Sequence, residues 1–449
     1  MRILQVTLGF PPYHIGGTDH LSYILSSRLT KKGNTEVYVF TGGLPVDSVV
    51  SQKPERFEDM QIFRVHSLVR QFLERQTPNM EVLTYKNFYY ENLFEKIIRE
   101  IKPDVVHFQH TIGLSVSLMH IATRYAKKTI VSLQDFWYLC PRVHLLKLAG
   151  MVCSGPEFGL NCYYCKAKSR VMQMGGSALK RKHGRIASKI PPSIKRFLKE
   201  RIQKRKHHMT EKETSKILPF LIRYNYVMES LKRVDAILSP SRFLKESYVN
   251  IGKISSSSIT TIPLGIVPFR IQREKSFSKP VRFGFAGSPS RHKGSQLLFE
   301  VFKRIQPENG SLVIWGKGWR ERSKDFKDIQ NIVFKGEYTH KIIDKVFSSF
   351  DVLIIPSILG ETFSFVAHEA FFAKVPVIAS DIGVFPDIIQ DGKNGFLFQT
   401  NNGDALYNCI KKIIEHPELI NKLSKNIKRP KTADEYVNEI YHFYRKILK

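Results

Sequence analysis

The run DVLIIPSILGETFSFVAHEA (Asp351–Ala370) reads as a short apolar strand, a turn and a helix. Pro356 ends the strand, because proline has no N–H to give to a neighbouring strand, and Gly360 supplies the turn. A helix is expected to begin around Thr362–Ser364 and run toward Lys374. A near-continuous apolar strand feeding a helix is the unit of a parallel sheet covered on both faces. Two carboxylates, Glu361 and Glu369, stand on either side of the helix start. The chain around them is strongly basic, with 70 Lys and Arg against 40 Asp and Glu and a formal net charge of +30. As bland readings, Glu361 is an N-terminal cap of the helix and Glu369 a surface residue.

The same unit recurs in both directions. Apolar runs at 2–8, 36–40, 61–65, 104–109, 128–134 and 235–241 alternate with helical patterns in the first half. Runs at 281–287, 311–316, 332–336, 351–357, 375–380 and 395–398 do so in the second. Two such series predict an α/β protein of two doubly wound domains. The expected division is 1–265, with a Cys-rich and basic insertion at 142–230, then a proline-containing linker at 266–280 and a second domain at 281–430. The amphipathic tail, 431–449, is expected to pack back toward the first domain.

A chain of 449 residues is too long for one ordinary core. Its 42% hydrophobic and 12% aromatic content is that of a folded protein, not a disordered one. No run reaches the roughly 18–20 apolar residues of a membrane span. MRILQVTLGFPPY reads as a first strand rather than a signal peptide, so a cytoplasmic location is expected. Between Lys166 and Lys216 stand 17 Lys and Arg against three Glu. Such a surface suits polyanions. The readings are a solvated basic arm or a patch for an anionic membrane surface, which would place the chain peripherally at the inner membrane face. Nucleic acid is the less favoured partner, because no recognised module for it accompanies the charge.

Three constellations bear on chemistry. Gly16-Gly17 lie between a strand and a helix, where backbone N–H groups can approach a phosphate. FGFAGSPSRHKG (283–294) repeats the device in the second half, with Gly287 and Ser288 followed by the cations Arg291 and Lys293, which suit a diphosphate. Eight residues at about 1.5 Å rise put Glu361 and Glu369 up to ~12 Å apart, about the span from ribose to hexose in a nucleotide sugar. The third constellation is Cys140, Cys153, Cys162 and Cys165, spaced C-x12-C-x8-C-x2-C. It suits a closed structural zinc site; an iron–sulfur cluster and free thiols or disulfides are the alternatives.

Residues 356–397, with SRFLKE (241–246), IPLGI (262–266) and the early Gly-Gly turn, resemble the signature of retaining glycosyltransferases of family four. The resemblance covers nearly the whole chain outside 142–230. It implies the GT-B fold, two Rossmann-like domains facing across a cleft, and transfer of a sugar from a nucleoside diphosphate sugar to a glycan or lipid-linked acceptor. It also implies no cofactor for catalysis, and the chain contains no Asp-x-Asp motif. By resemblance, Glu369 holds ribose hydroxyls, Glu361 contacts the sugar, and the amides of Thr362, Phe363, Ser364 and Phe365 face sugar and diphosphate. Lys293, with Arg291, neutralises the leaving group, and Gly16 and Gly17 close the phosphate site. Asp19, His110, Gln134 and Asp135 are candidate acceptor-side contacts, with His107 near the cleft. Two departures stand out: Ser288 where the family has Arg, and Gln134 where a related subset has His. They keep alive an inactive donor-binding homologue, beside a nucleotide-sugar epimerase or hydrolase of the same fold.

Overall fold

The computed structural model describes residues 1–13, 16–44, 50–51, 53–66, 78–146, 153–165, 211–270, 280–322, 326 and 329–449, with backbone alone at 78–80 and 211–215. Most of the basic stretch, 166–210, and most of the expected linker, 271–279, lie outside the described residues.

The described residues form two sheets. The first has the order β3-β4-β2-β1-β5-β6-β7-β8. Its strands are β1 (Arg2–Thr7), β2 (Glu36–Leu44), β3 (Glu55–Phe57), β4 (Met60–His66), β5 (Val105–Phe108), β6 (Lys128–Ser132), β7 (Ala236–Ser239) and β8 (Ile259–Thr261). All neighbours are parallel except β3 with β4. The second, all parallel, has the order β11-β10-β9-β12-β13-β14. It is built from β9 (Val281–Ala286), β10 (Gly310–Trp315), β11 (Ile332–Gly336), β12 (Val352–Ile355), β13 (Val377–Ser380) and β14 (Gly395–Phe398). Each apolar run expected as a strand is one. The short β3 and β8 were not expected; their burial is patchy, so they carry no apolar run. Strands such as β5 and β12 are buried at every residue, as a sheet with two covered faces demands.

The chain ends by returning to its beginning. Ile266 and Thr432 form a bridge, and the helix Ala433–Ile447 then lies on the first sheet. Thr432 caps it: its Oγ1 accepts from Glu435 N (3.2 Å), and the Glu435 carboxylate accepts from Thr432 N (2.7 Å). The helix buries Tyr436, Val437, Ile440 and Tyr444 in one core cluster with Ile3, Val105 and Leu238 of the first domain. Tyr444 joins a buried polar network under the sheet's C-terminal edge. Its hydroxyl meets His107 Nδ1 (2.6 Å) and accepts from Gln5 Nε2 (3.2 Å), while His107 Nε2 meets Ser132 Oγ (2.8 Å). In both domains the loops leaving the C-terminal ends of the central strands face one another, the position at which open α/β sheets bind ligands.

Candidate active site

Between the domains lies a cavity of about 760 Å³. The first domain lines it with Gly17, Thr18, His20, Asp135 and His144. The second contributes Gly287, Lys293, Tyr338, His340 and the segment from Leu359 to Glu369 in part.

The loop after β12 is held tightly. Ile358 N donates to His292 O (2.9 Å) and Val384 N to Glu361 O (2.9 Å). Gly294, at φ +74°, closes the facing loop; a Cβ there would lie 1.7 Å from Pro356 O. Only glycine lets the two loops approach so closely, and the approach brings Lys293 to Glu361, Nζ to Oε1 at 2.7 Å. Ser357 Oγ donates to the same oxygen (2.7 Å). Burial opposes ionisation of Glu361. The Lys293 ammonium and the neighbouring serine hydroxyls outweigh it and hold the carboxyl below its ordinary value.

The helix starts at Phe365, one to three residues later than the sequence suggested, and runs to Phe372. The delay comes from Ser364, whose left-handed φ of +62° places it outside the helix as its N-cap. Phe365 and Val366, whose N–H groups have no partner within the helix, line the cavity. Phe363 turns away: its ring is 4% exposed, stacks on His368 at 4.0 Å and packs with Leu264 and Tyr436 in a first-domain core cluster. Thr362 Oγ1 donates to Gln134 O across the domains (2.8 Å). The carboxylate of Glu369, on the wall beside Tyr338, has no hydrogen-bond or ion-pair partner among the described residues. Burial pushes its carboxyl up to about 7.

The other expected residues divide. Gly16 and Gly17 form the opposing loop. Asp19 is 1% exposed, and its carboxylate accepts from Gly9 N and Gly16 N, each at 2.9 Å, so it shapes that loop and does not line the cavity. Gln134 donates to Gln109 Oε1 (3.2 Å), and its side chain joins the buried network. His107, expected near the cleft, is fully buried in that network, and burial pushes its ring down to about 3. His110 Nδ1 accepts from Ile112 N (2.9 Å), which leaves Nε2 to donate to Asp135 (3.2 Å). His110 thus holds Asp135, and Asp135 alone of that pair faces the cavity. Ser288 and Arg291 are exposed and do not line it. Sequence reading missed Ser357, the three cavity-lining histidines His20, His144 and His340, and His292, which packs on His144. No local pattern marks any of them; only tertiary proximity does.

Cys140, Cys153, Cys162 and Cys165 are free thiols. Burial pushes those of Cys140 and Cys162 up. Arg142 donates to Cys165 Sγ at 3.3 Å. Among the described residues no group of three or more His, Cys, Asp or Glu side chains is placed to hold a metal ion. The expectation of zinc therefore rests on spacing alone. Among the described residues no helix is long and apolar enough to cross a membrane.

Residues 268–429 match the family of glycosyl transferases group 1. An uncharacterized glycosyltransferase of Methanocaldococcus jannaschii is 24% identical over 251 residues, 49% of this chain and 63% of that protein. A lipopolysaccharide 1,2-N-acetylglucosaminetransferase of Salmonella typhimurium is 24% identical over 215 residues, 40% of this chain and 54% of its own. Both matches span less than two thirds of the relative's length. The crystal structure of Anabaena HepE in complex with UDP superposes at a TM-score of 0.60, with 13% identity, over 99% of this chain and 100% of that one. The fold is thus shared from end to end, a GT-B scaffold, and the match to the glycosyl transferases group 1 falls on residues 268–429, the stretch that holds Lys293, Glu361 and Glu369.

Proposed function

We propose that the chain is a retaining glycosyltransferase. It moves a sugar from a nucleoside diphosphate sugar to a hydroxyl of a lipid-linked or polysaccharide acceptor in cell-envelope glycan synthesis, with no metal required in the chemical step. One arrangement carries the reading. A buried carboxylate paired with a lysine, Glu361 with Lys293, and a carboxylate with no partner among the described residues, Glu369, share one cavity wall, with helix N–H groups between them.

Each group has a task. Glu369 accepts the ribose hydroxyls. When donor enters, Lys293 exchanges Glu361 for the diphosphate, and Glu361 turns to the sugar hydroxyls. As the bond from the anomeric carbon to the diphosphate oxygen breaks, negative charge grows on the diphosphate. Lys293 and the N–H groups at Phe365 and Val366 stabilise it where it develops. The acceptor hydroxyl attacks from the same face, its oxygen bonds the anomeric carbon, and its proton passes to the departing diphosphate. Configuration is thereby retained. Asp135, oriented by His110, lies on the acceptor side. The relative that acts on lipopolysaccharide supports an envelope acceptor, and the neighbour solved with UDP makes uridine nucleotides the first donors to try. The 17 basic residues between Lys166 and Lys216 support an anionic membrane surface as partner.

A thermal-shift screen against nucleoside diphosphates and their sugars, followed by product analysis with and without acceptor, tests the reading. A bound nucleotide raises apparent stability. Turnover that survives unchanged in both Lys293→Ala and Glu361→Ala would refute it. Sugar released to water or epimerised, with no transfer, would replace it by hydrolase or epimerase action.

A further inference from the structure

Apart from Glu369, whose carboxylate has no partner among the described residues, the acids that line the cavity are engaged. Glu361 is held by Lys293 and Asp135 by His110. At the rim that leads into the cysteine-containing segment, His144 of the first domain lies against His292 of the second. Their ring centroids are 5.3 Å apart and their planes 30° from parallel. His144 lines the cavity. His292 is half-buried in the turn Arg291–Lys293. Arg142 stands two residues before His144, and the exposed Arg291 precedes His292. Each domain thus brings a histidine to the same rim, where the Arg142 charge acts on His144 and the Lys293 charge on both rings.

Among the described residues, the charged groups that act on the pair are Asp135, Glu361, Arg142 and Lys293. For His144, burial lowers the ring first; Asp135 opposes this, and Arg142 and Lys293 add to it. For His292, burial again comes first, then His144 and Lys293, with Glu361 opposing. Both acids are already engaged, so both rings are neutral in the empty cleft at pH 7. Two neutral imidazoles among arginine and lysine are poised to take up protons when a compensating anion arrives. On the glycosyltransferase reading, the donor's diphosphate is met by Lys293 and the helix that starts at Phe365.

We infer that this rim is a second anion subsite, which takes a phosphoryl group of the acceptor between His144 of one domain and His292 of the other. The inference rests on the glycosyltransferase reading above and narrows the acceptor to a phosphorylated one. A group gripped from both domains also favours the closed cleft, so acceptor and closure are linked.

Histidine ring resonances, assigned with His144→Gln and His292→Gln, are followed against pH with UDP present to fill the donor site. The added probes are glucose, inorganic phosphate or glucose 1-phosphate. The sugar phosphate is expected to raise the apparent pKa of both rings by about one pH unit. It acts at lower concentration than inorganic phosphate, and glucose has no effect. In His144→Gln the response of His292 is lost while UDP still binds. Rings unmoved by either phosphate with UDP bound would overturn the inference, as would a response that UDP abolishes by competition. Equal response to both phosphates would overturn the assignment to an acceptor. Failure to bind any nucleotide strikes instead at the glycosyltransferase reading, so the two failures are told apart.

Discussion

Two carboxylates eight residues apart are shifted in opposite directions, and Lys293 with the neighbouring serine hydroxyls makes the difference. Glu361 has Lys293 at 2.7 Å and stays charged; Glu369 has no such partner and is pushed up to about 7. A carboxylate must be ionised to accept two ribose hydroxyls. The donor KM should therefore fall several-fold, about tenfold at most, as pH rises from about 6 to about 8. Glu369→Gln should flatten that profile, as read by donor KM against pH. The sign for stability is the reverse. The folded pKa lies above the unfolded one, so stability falls as pH rises from about 4.5 to about 7, and Glu369→Gln should raise Tm above that window. At the other end of the wall, Lys293→Ala should lower kcat by about 10²–10³-fold, the usual scale for losing a group that meets developing charge. Steady-state assays with saturating donor check it; a loss confined to KM would assign Lys293 to ground-state binding.

Loops rather than helices set the precision of the site. Gly294, at φ +74° with Pro356 O in the place of its Cβ, lets the Lys293 turn meet the loop after β12. Gly294→Ala should cost about 1–3 kcal/mol in strain and weaken donor binding by parting Lys293 from Glu361. Chemical denaturation and a nucleotide titration read the two effects separately. The strands and the placement of Glu361, Glu369 and Lys293 were legible in the sequence, because continuous apolar runs and a local motif carry them. The roles of Asp19, His107, His110 and Gln134 were not. Asp19 lies in the first turn of the helix Gly17–Leu29, where its carboxylate folds back on the loop before it; the other three lie in or just after strands, and their side-chain direction depends on partners far away in sequence, such as Tyr444 for His107 and Gln109 for Gln134. The start of the helix at Phe365 was missed for a related reason, since nothing in the local sequence announces a serine with positive φ.

At the scale of the whole chain, the two ends are joined by the helix Ala433–Ile447. Tyr444 ties it to Gln5 and His107 by buried hydrogen bonds. Tyr444→Phe leaves those groups short of a partner and should destabilise the first domain by about 1–3 kcal/mol, measured by urea unfolding. The net charge of +30 makes a separate prediction. The protein should float with anionic vesicles and not with neutral ones, and salt at about 0.5 M should release it as screening shortens the reach of each charge. Flotation that is indifferent to lipid charge would remove the membrane from the proposal.

Phe363 belongs by sequence to the donor loop and by packing to the opposite domain's core, with Thr362 bonded to Gln134 beside it. Any hinge motion that parts the domains must therefore either draw Phe363 out of that socket or pull its neighbours Glu361 and Ser364 along. The seat for the sugar and the angle between the domains are one mechanical variable, and a cleft that gapes is a cleft whose sugar seat has been dismantled.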